Sequence, residues 1–254
     1  MTPAHRLDRT ISIRAARDTV FRFFTDPPRW AAWWGTGSHI DARPGGRVLI
    51  RYPDGTEAAG EVIDLLAPER LEFSYGFVSG KPFPAGGSRV TIRLEPDGSG
   101  TRLYLSHELP DAALRDEFIQ GWRYQLALFS NAVANEVNAG AAGSVDEWFS
   151  AWRETNADAR ELVLARIAIP GVRFQDRFGC TEGIADLLPH ISAAQRFMPD
   201  LRMQRRGDVR HCQGTALVDW VAMAGDGQQR GAGTNVFVFG ADGRIEAVTG
   251  FWNT

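Results

Sequence analysis

The chain has 254 residues, 28 basic against 31 acidic, and a formal net charge of −3. This mild acidity is evenly spread, net −1 over residues 1–139 and net −2 over 144–254, which argues against a nucleic-acid surface or a basic membrane-binding face. No apolar run reaches the length of a membrane span, the first 14 residues lack the apolar segment of a signal peptide, and two cysteines, Cys180 and Cys212, are too few for a disulfide framework. A cytoplasmic protein with free thiols is expected, long enough for two cores of ordinary domain size.

Residues 7–14 alternate and predict an opening strand. A helix is expected from about Arg17, with Val20, Phe21, Phe23 and Phe24 as its apolar bulk, until Asp26-Pro27-Pro28 stops it. Trp30, Trp33 and Trp34 follow closely, either as filling at the edge of a core or as a ligand-facing surface. Turn signals such as Pro53-Asp54-Gly55 and Pro96-Asp97-Gly98 then separate alternating strands over 47–52, 58–66, 70–78, 88–95 and 101–108. From Asp111, Leu114, Phe118, Trp122, Leu126, Phe129, Val133 and Val137 recur every three or four positions, as in a long helix laid on a sheet. The small, glycine-rich run Asn138-Ala139-Gly140-Ala141-Ala142-Gly143 predicts a linker over 140–143, between a first domain at 1–139 and a second at 144–254.

The sequences Trp30-x-x-Trp33-Trp34-Gly35, Asp41-x-Arg43-Pro44-Gly45-Gly46, Gly60-Glu61-Val62, Pro68-x-Arg70-Leu71-x-Phe73 and Phe118-x-x-Gly121-Trp122 are fairly specific in combination. Over residues 5–139 the chain resembles the activator of heat-shock protein 90 ATPase homologue family, within the START-like (SRPBCC) superfamily. The resemblance implies a helix-grip fold with an apolar cavity between sheet and long helix, used across the superfamily for hydrophobic ligands. Trp33, Phe73, Tyr75, His107, Trp122 and Leu126 are the candidate lining residues. His107 shares a face with Leu103 and Leu105 and has no acid or nucleophile spaced to work with it, so a hydrogen-bonded core role competes with ligand contact. No catalytic residue is expected in this domain.

Ser144-Val145-Asp146-Glu147 has the spacing of a capping box and predicts a helix start, with Trp148, Phe149 and Trp152 on one side. A second helical run uses Leu162, Val163 and Ile167 and ends at Pro170-Gly171; Val172, Phe174 and Asp176 then alternate with Arg173, Gln175 and Arg177 as a strand with one apolar face. After a turn at 178–181, a helix from Gly183 is expected to bury Ile184, Leu187, Leu188, Ile191 and Met198, with Pro189 as a possible kink. Four strands complete the chain over 201–213, 215–224, 233–239 and 244–252.

Phe174-x-Asp176, Gly183, Pro199, Asn235-Val236-Phe237-Val238-Phe239, Asp242-Gly243-Arg244-Ile245 and Gly250-Phe251-Trp252 resemble the SnoaL-like branch of the nuclear transport factor 2-like superfamily. The expected fold class is therefore α+β, a START-like helix-grip domain followed by a cone-shaped α+β barrel. The second resemblance implies Asp176 at the general-base position of ketosteroid isomerases and Asn235 at the position of an oxyanion donor. The first-helix tyrosine of those enzymes is missing, and Ala151 and Trp152 stand in its neighbourhood.

Asp176, on an apolar face, is either a desolvated base or half of an ion pair with Arg177, Arg173 or Arg196. Asp219, Trp152 and Trp252 complete the candidate ligand wall, whereas His190 and His211 are expected at the surface or an edge. Metal-ligand spacings, phosphate loops and nucleophile elbows are absent from the sequence, and neither a metal nor a cofactor is expected. Three functions fit: binding of a hydrophobic or aromatic small molecule, cofactor-independent cyclisation or isomerisation, and a chaperone-type interaction module. A homodimer through the second domain is expected on Val218, Trp220, Val236 and Val238.

Overall fold

The computed structural model describes residues 5–253; Thr254 and the first four positions of the expected first domain lie outside them. It is α+β, with two compact units dividing between Ala134 and Asn135.

The first unit contains β1 (His5–Ile13), α1 (Arg17–Thr25), α2 (Pro27–Trp34), β2 (His39–Ile40), β3 (Arg47–Arg51), β4 (Glu57–Leu66), β5 (Arg70–Tyr75), β6 (Ser88–Asp97) and β7 (Gly100–Leu109), followed by α3 (Ala112–Val137), whose last turn belongs to the second unit. Its antiparallel sheet has the order β1-β7-β6-β5-β4-β3-β2. Alternation buries Leu71, Phe73 and Tyr75 on β5, Val90, Ile92 and Leu94 on β6, and Leu103, Leu105 and His107 on β7. Helix α3 lays Trp122, Leu126, Phe129 and Val133 inward, and Phe129 stacks on Phe24 with ring centroids 4.6 Å apart.

Pro27 does not simply end a helix, as expected from the sequence. It opens α2 at positions where the backbone N–H needs no intrahelical partner and the fixed φ suits a helix start. Gly60 shows why its motif requires glycine: a Cβ there would lie 1.7 Å from the Ser74 carbonyl oxygen on β5.

The second unit continues with α4 (Ala141–Arg153), α5 (Ala157–Ile167), β8 (Ala168–Asp176), β9 (Gly179–Glu182), α6 (Ile184–Phe197), β10 (Arg202–Cys212), β11 (Thr215–Met223), β12 (Gln229–Phe239) and β13 (Ile245–Trp252). The sheet order is β10-β11-β12-β13-β8-β9, with β8 parallel to β13 and the other pairs antiparallel. Val218, Trp220, Phe237, Phe239 and Val248 face a core shared with Trp148 and Phe149 of α4 and Leu187 and Ile191 of α6.

Several local expectations change here. Residues 140–143 are not an extended linker: a turn at 138–140 leads straight into α4, and Ser144 lies inside that helix rather than capping it. Alanines at 141 and 142 favour continued helix, which removes the capping box from the end. The turn expected at 178–181 contains β9, and Met198 lies outside the buried stripe of α6. The four apolar residues assigned to one dimer face divide between two: Val218 and Trp220 are core, while Val236 and Val238 are half-buried on the opposite face, because β11 and β12 pair Val218 with Asn235.

Candidate functional site

In the first unit a cleft of about 180 Å³ is lined by Trp34, Tyr52, Tyr75, Phe118, Trp122 and Leu128, among others. Of the expected cavity residues, Tyr75 and Trp122 line it. Trp33 and Phe73 belong instead to the packed aromatic core around Trp30, and His107 is fully enclosed. Trp122 Nε1 donates to His107 Nδ1 at 2.9 Å, Ser88 Oγ lies 2.8 Å from Nε2, and the Ser88 hydroxyl donates to the Tyr75 carbonyl at 2.9 Å. An indole can only donate, so Nδ1 is bare; the serine proton is committed elsewhere, so Nε2 carries the hydrogen. Burial pushes the His107 imidazole down to about 3, and this geometry makes it a neutral structural group. Burial also raises Tyr52 to about 12 and holds Tyr75 well above its ordinary value, so the hydroxyl pair between them, 2.8 Å apart, stays protonated at neutral pH.

The larger cavity lies in the second unit, about 370 Å³, walled by Trp148, Phe149 and Trp152 of α4, Phe174 and Asp176 of β8, His190 and Gln195 of α6, and Trp220, Asn235, Gly250 and Trp252 of β11 to β13. The topology assembles its polar corner. Asn235 pairs with Gly250 across β12 and β13, and β8 runs parallel beside β13, which brings Asp176 next to the same glycine. A Cβ on Gly250 would lie 3.2 Å from both Asn235 Oδ1 and Asp176 Cβ, so the absence of a side chain there opens the space between the two polar residues.

Two indoles hold this corner. Trp220 Nε1 donates to Asn235 Oδ1 at 2.9 Å, Trp252 Nε1 donates to Asp176 Oδ2 at 3.1 Å, and their rings stand nearly perpendicular with centroids 4.7 Å apart. Because Trp220 can only donate, it fixes the Asn235 amide with its oxygen toward the indole and, among the described residues, leaves the NH₂ without a protein partner, on a residue only 4% exposed. Asp176 Oδ1 accepts from the backbone N–H of Phe178 at 2.8 Å and of Gly179 at 3.1 Å. Among the described residues Asp176 forms no ion pair, so the pairing with Arg177, Arg173 or Arg196 is not made.

Trp152 and Trp252 line the cavity, but Asp219 does not. It accepts from Thr234 Oγ1 at 2.6 Å and pairs with Arg210 at 3.3 Å on the outer face of β11. His190, expected at the surface, is a wall residue. It stands three residues after Leu187 and one before Ile191, so the helical stripe itself carried the signal that the expectation of a surface or edge position missed.

Behind Gln195 the guanidinium of Arg160, on a residue 1% exposed, pairs with no carboxylate among the described residues. All five of its N–H groups go to neutral acceptors: the Glu154 and Leu188 carbonyls, Ser192 Oγ and Gln195 Oε1. Glu154 is the C-cap of α4, so the buried charge sits at the negative end of that helix, where its dipole compensates part of the cost. Among the described residues no group of His, Cys, Asp and Glu could hold a metal ion, and no helix is long and apolar enough to cross a membrane.

The first unit thus sets the long helix α3 on a seven-stranded antiparallel sheet, and the second sets α4, α5 and α6 on a six-stranded mixed one. Residues 14–134 match the family model described as activator of Hsp90 ATPase homolog 1-like protein. The match lies within the first unit. Similar solved structures include a SnoaL-like family protein of Agrobacterium tumefaciens (23% identity, 47% of this chain and 99% of that one, TM-score 0.43). CalU16 of Micromonospora echinospora is also similar (28%, 52% and 78%, 0.44), as is the Aha1 dimer of Colwellia psychrerythraea (15%, 50% and 95%, 0.44). No curated protein matches the sequence.

Proposed function

We propose that the second unit binds a flat, largely apolar small molecule. The observation that carries this reading is the cavity itself: about 370 Å³, walled by four tryptophans and further aromatic rings, with Asn235, whose NH₂ has no protein partner among the described residues, at its polar corner. Ligand sites of this kind bury a ring against apolar walls and orient it with a few polar groups. A hydrogen-bond acceptor on the ligand would satisfy the Asn235 donor, which otherwise lacks a partner at a desolvation cost. Native mass spectrometry of protein purified from its own host should detect a retained small molecule, and Ala193→Trp, which fills the cavity from α6, should abolish its retention. Retention unchanged by Ala193→Trp would place the ligand elsewhere.

Proton transfer next to a carbonyl is the second reading. It is favoured by the placement of Asp176 and Asn235 about Gly250 in the wall of one cavity, with no ion pair to the carboxylate among the described residues. Under this reading Asp176 takes the proton and the Asn235 amide donates to the developing oxyanion.

The proposed assembly is a homodimer through the outer face of the second sheet, where Leu217 pairs with Val236 and Thr215 with Val238. Sedimentation as a monomer at micromolar concentration would remove it.

A further inference from the structure

We propose that His190 is a specificity-determining residue of the second-unit cavity, recognising a hydroxyl group on the ring of the bound molecule. This rests on the binding reading above and adds to it a residue and a ligand chemistry.

The imidazole is held by packing alone. Its ring meets Trp152 edge-on, with centroids 5.9 Å apart at 85°, and lies against Phe174 at 5.5 Å. Gly179 admits it, since a Cβ at that position would lie 2.7 Å from His190 Cε1 and 3.1 Å from Nδ1. Among the described residues His190 forms no hydrogen bond and no ion pair, and neither nitrogen is sealed in the interior. A side chain fixed by its carbons while both polar atoms stay unspent is arranged for a partner outside the protein.

The opposite side of Gly179 supplies the second half of the argument. Its N–H donates to Asp176 Oδ1 at 3.1 Å, so one glycine separates the imidazole from the carboxylate, and both line the same cavity. They form no ion pair with each other. Neutral imidazole offers one donor and one acceptor, and a hydroxyl offers the same pair, so the two match in either histidine tautomer. Asp176 adds a further acceptor beside them. A ring ether or a bare hydrocarbon cannot donate to either group.

The test is calorimetric titration of the full chain with 2-naphthol, 2-methoxynaphthalene and naphthalene. Wild type should bind 2-naphthol about five- to tenfold more tightly than either analogue, the worth of one net hydrogen bond. In His190→Phe, which keeps the ring packing, that preference should fall toward unity while naphthalene binds as before. His190→Gln should retain part of it. Gly179→Ala is the independent variant: it leaves every polar group in place but displaces the imidazole, and should also reduce the preference. Preference for 2-naphthol undiminished in folded His190→Phe or Gly179→Ala overturns the role of His190 and leaves the binding reading standing. If none of the three compounds binds wild type, the binding reading fails and the inference fails with it.

Discussion

His107 shows how much one buried side chain can set. Its neutral form is locked by the Trp122 indole, and its folded value near 3 lies far below that of an unfolded histidine, about 6.5. For a depressed value the stabilising contribution is complete above the unfolded value and is lost as pH falls toward the folded one. Urea unfolding should therefore show a loss of about 2 kcal/mol between pH 6.5 and 5 that is absent in His107→Gln. Asp176 gives a second residue-scale test. All three of its partners are donors, and an asparagine presents only one acceptor oxygen, so Asp176→Asn should cost about 1 kcal/mol rather than the 3 to 5 kcal/mol of a broken buried ion pair. If the protein turns over a substrate with Asp176 as base, the same variant should lower kcat by orders of magnitude. The side of the strand on which Asp176 falls was legible from alternation with Val172 and Phe174. Its partners were not, since the Trp252 indole comes from 76 residues away and the two amides depend on how the turn into β9 closes.

At the scale of elements, periodicity was the dependable signal and local punctuation the misleading one. The stripe from Trp122 to Val133 marked α3, and the turns marked the meander of the first sheet, because these patterns repeat over many residues. A single signal was incomplete or failed where its neighbours mattered more: Pro27 follows the end of α1 as expected but also begins α2, and Ser144 lies within a helix rather than capping it. The contrast can be measured. Asn156 is a true cap, its Oδ1 accepting from the Ala159 N–H at 3.0 Å, so Asn156→Ala should destabilise by about 1 kcal/mol. Ser144→Ala should be neutral or slightly stabilising in the same denaturation series, as alanine is the better residue inside a helix. Equal losses from both substitutions would mean that Ser144 acts as a cap in solution. Strand pairing was beyond the sequence for a different reason. Alternation separates the two faces of β11 and β12, but only the register, which pairs Val218 with Asn235, decides which face of each is shared.

For the whole molecule, composition and the paired resemblances made two α+β domains readable, while the division itself depends on a feature that the sequence hides. The glycine-rich run suggested a boundary after residue 139, yet the last turn of α3 belongs with the second unit. A Cβ added to Gly243 would lie 2.8 Å from the Val137 carbonyl oxygen, so the chain after β12 is built to receive that turn closely. Two fragments of the second unit therefore differ in a predictable way. One starting at Asn135 should fold cooperatively and bind 2-naphthol as the full chain does, because every residue of its cavity lies beyond that point. One starting at Ala141 loses the contact at Gly243 and should melt lower. The complementary fragment ending at Ala134 should fold as well, since its sheet is complete and Trp122, Leu126, Phe129 and Val133 of α3 remain to cover its core. Melting curves and titrations of the three fragments separate the possibilities. Failure of both the Ala134-ending and Asn135-starting fragments to melt cooperatively would remove the independence of the units, whereas a folded Asn135 fragment without binding would move the ligand site out of the second unit.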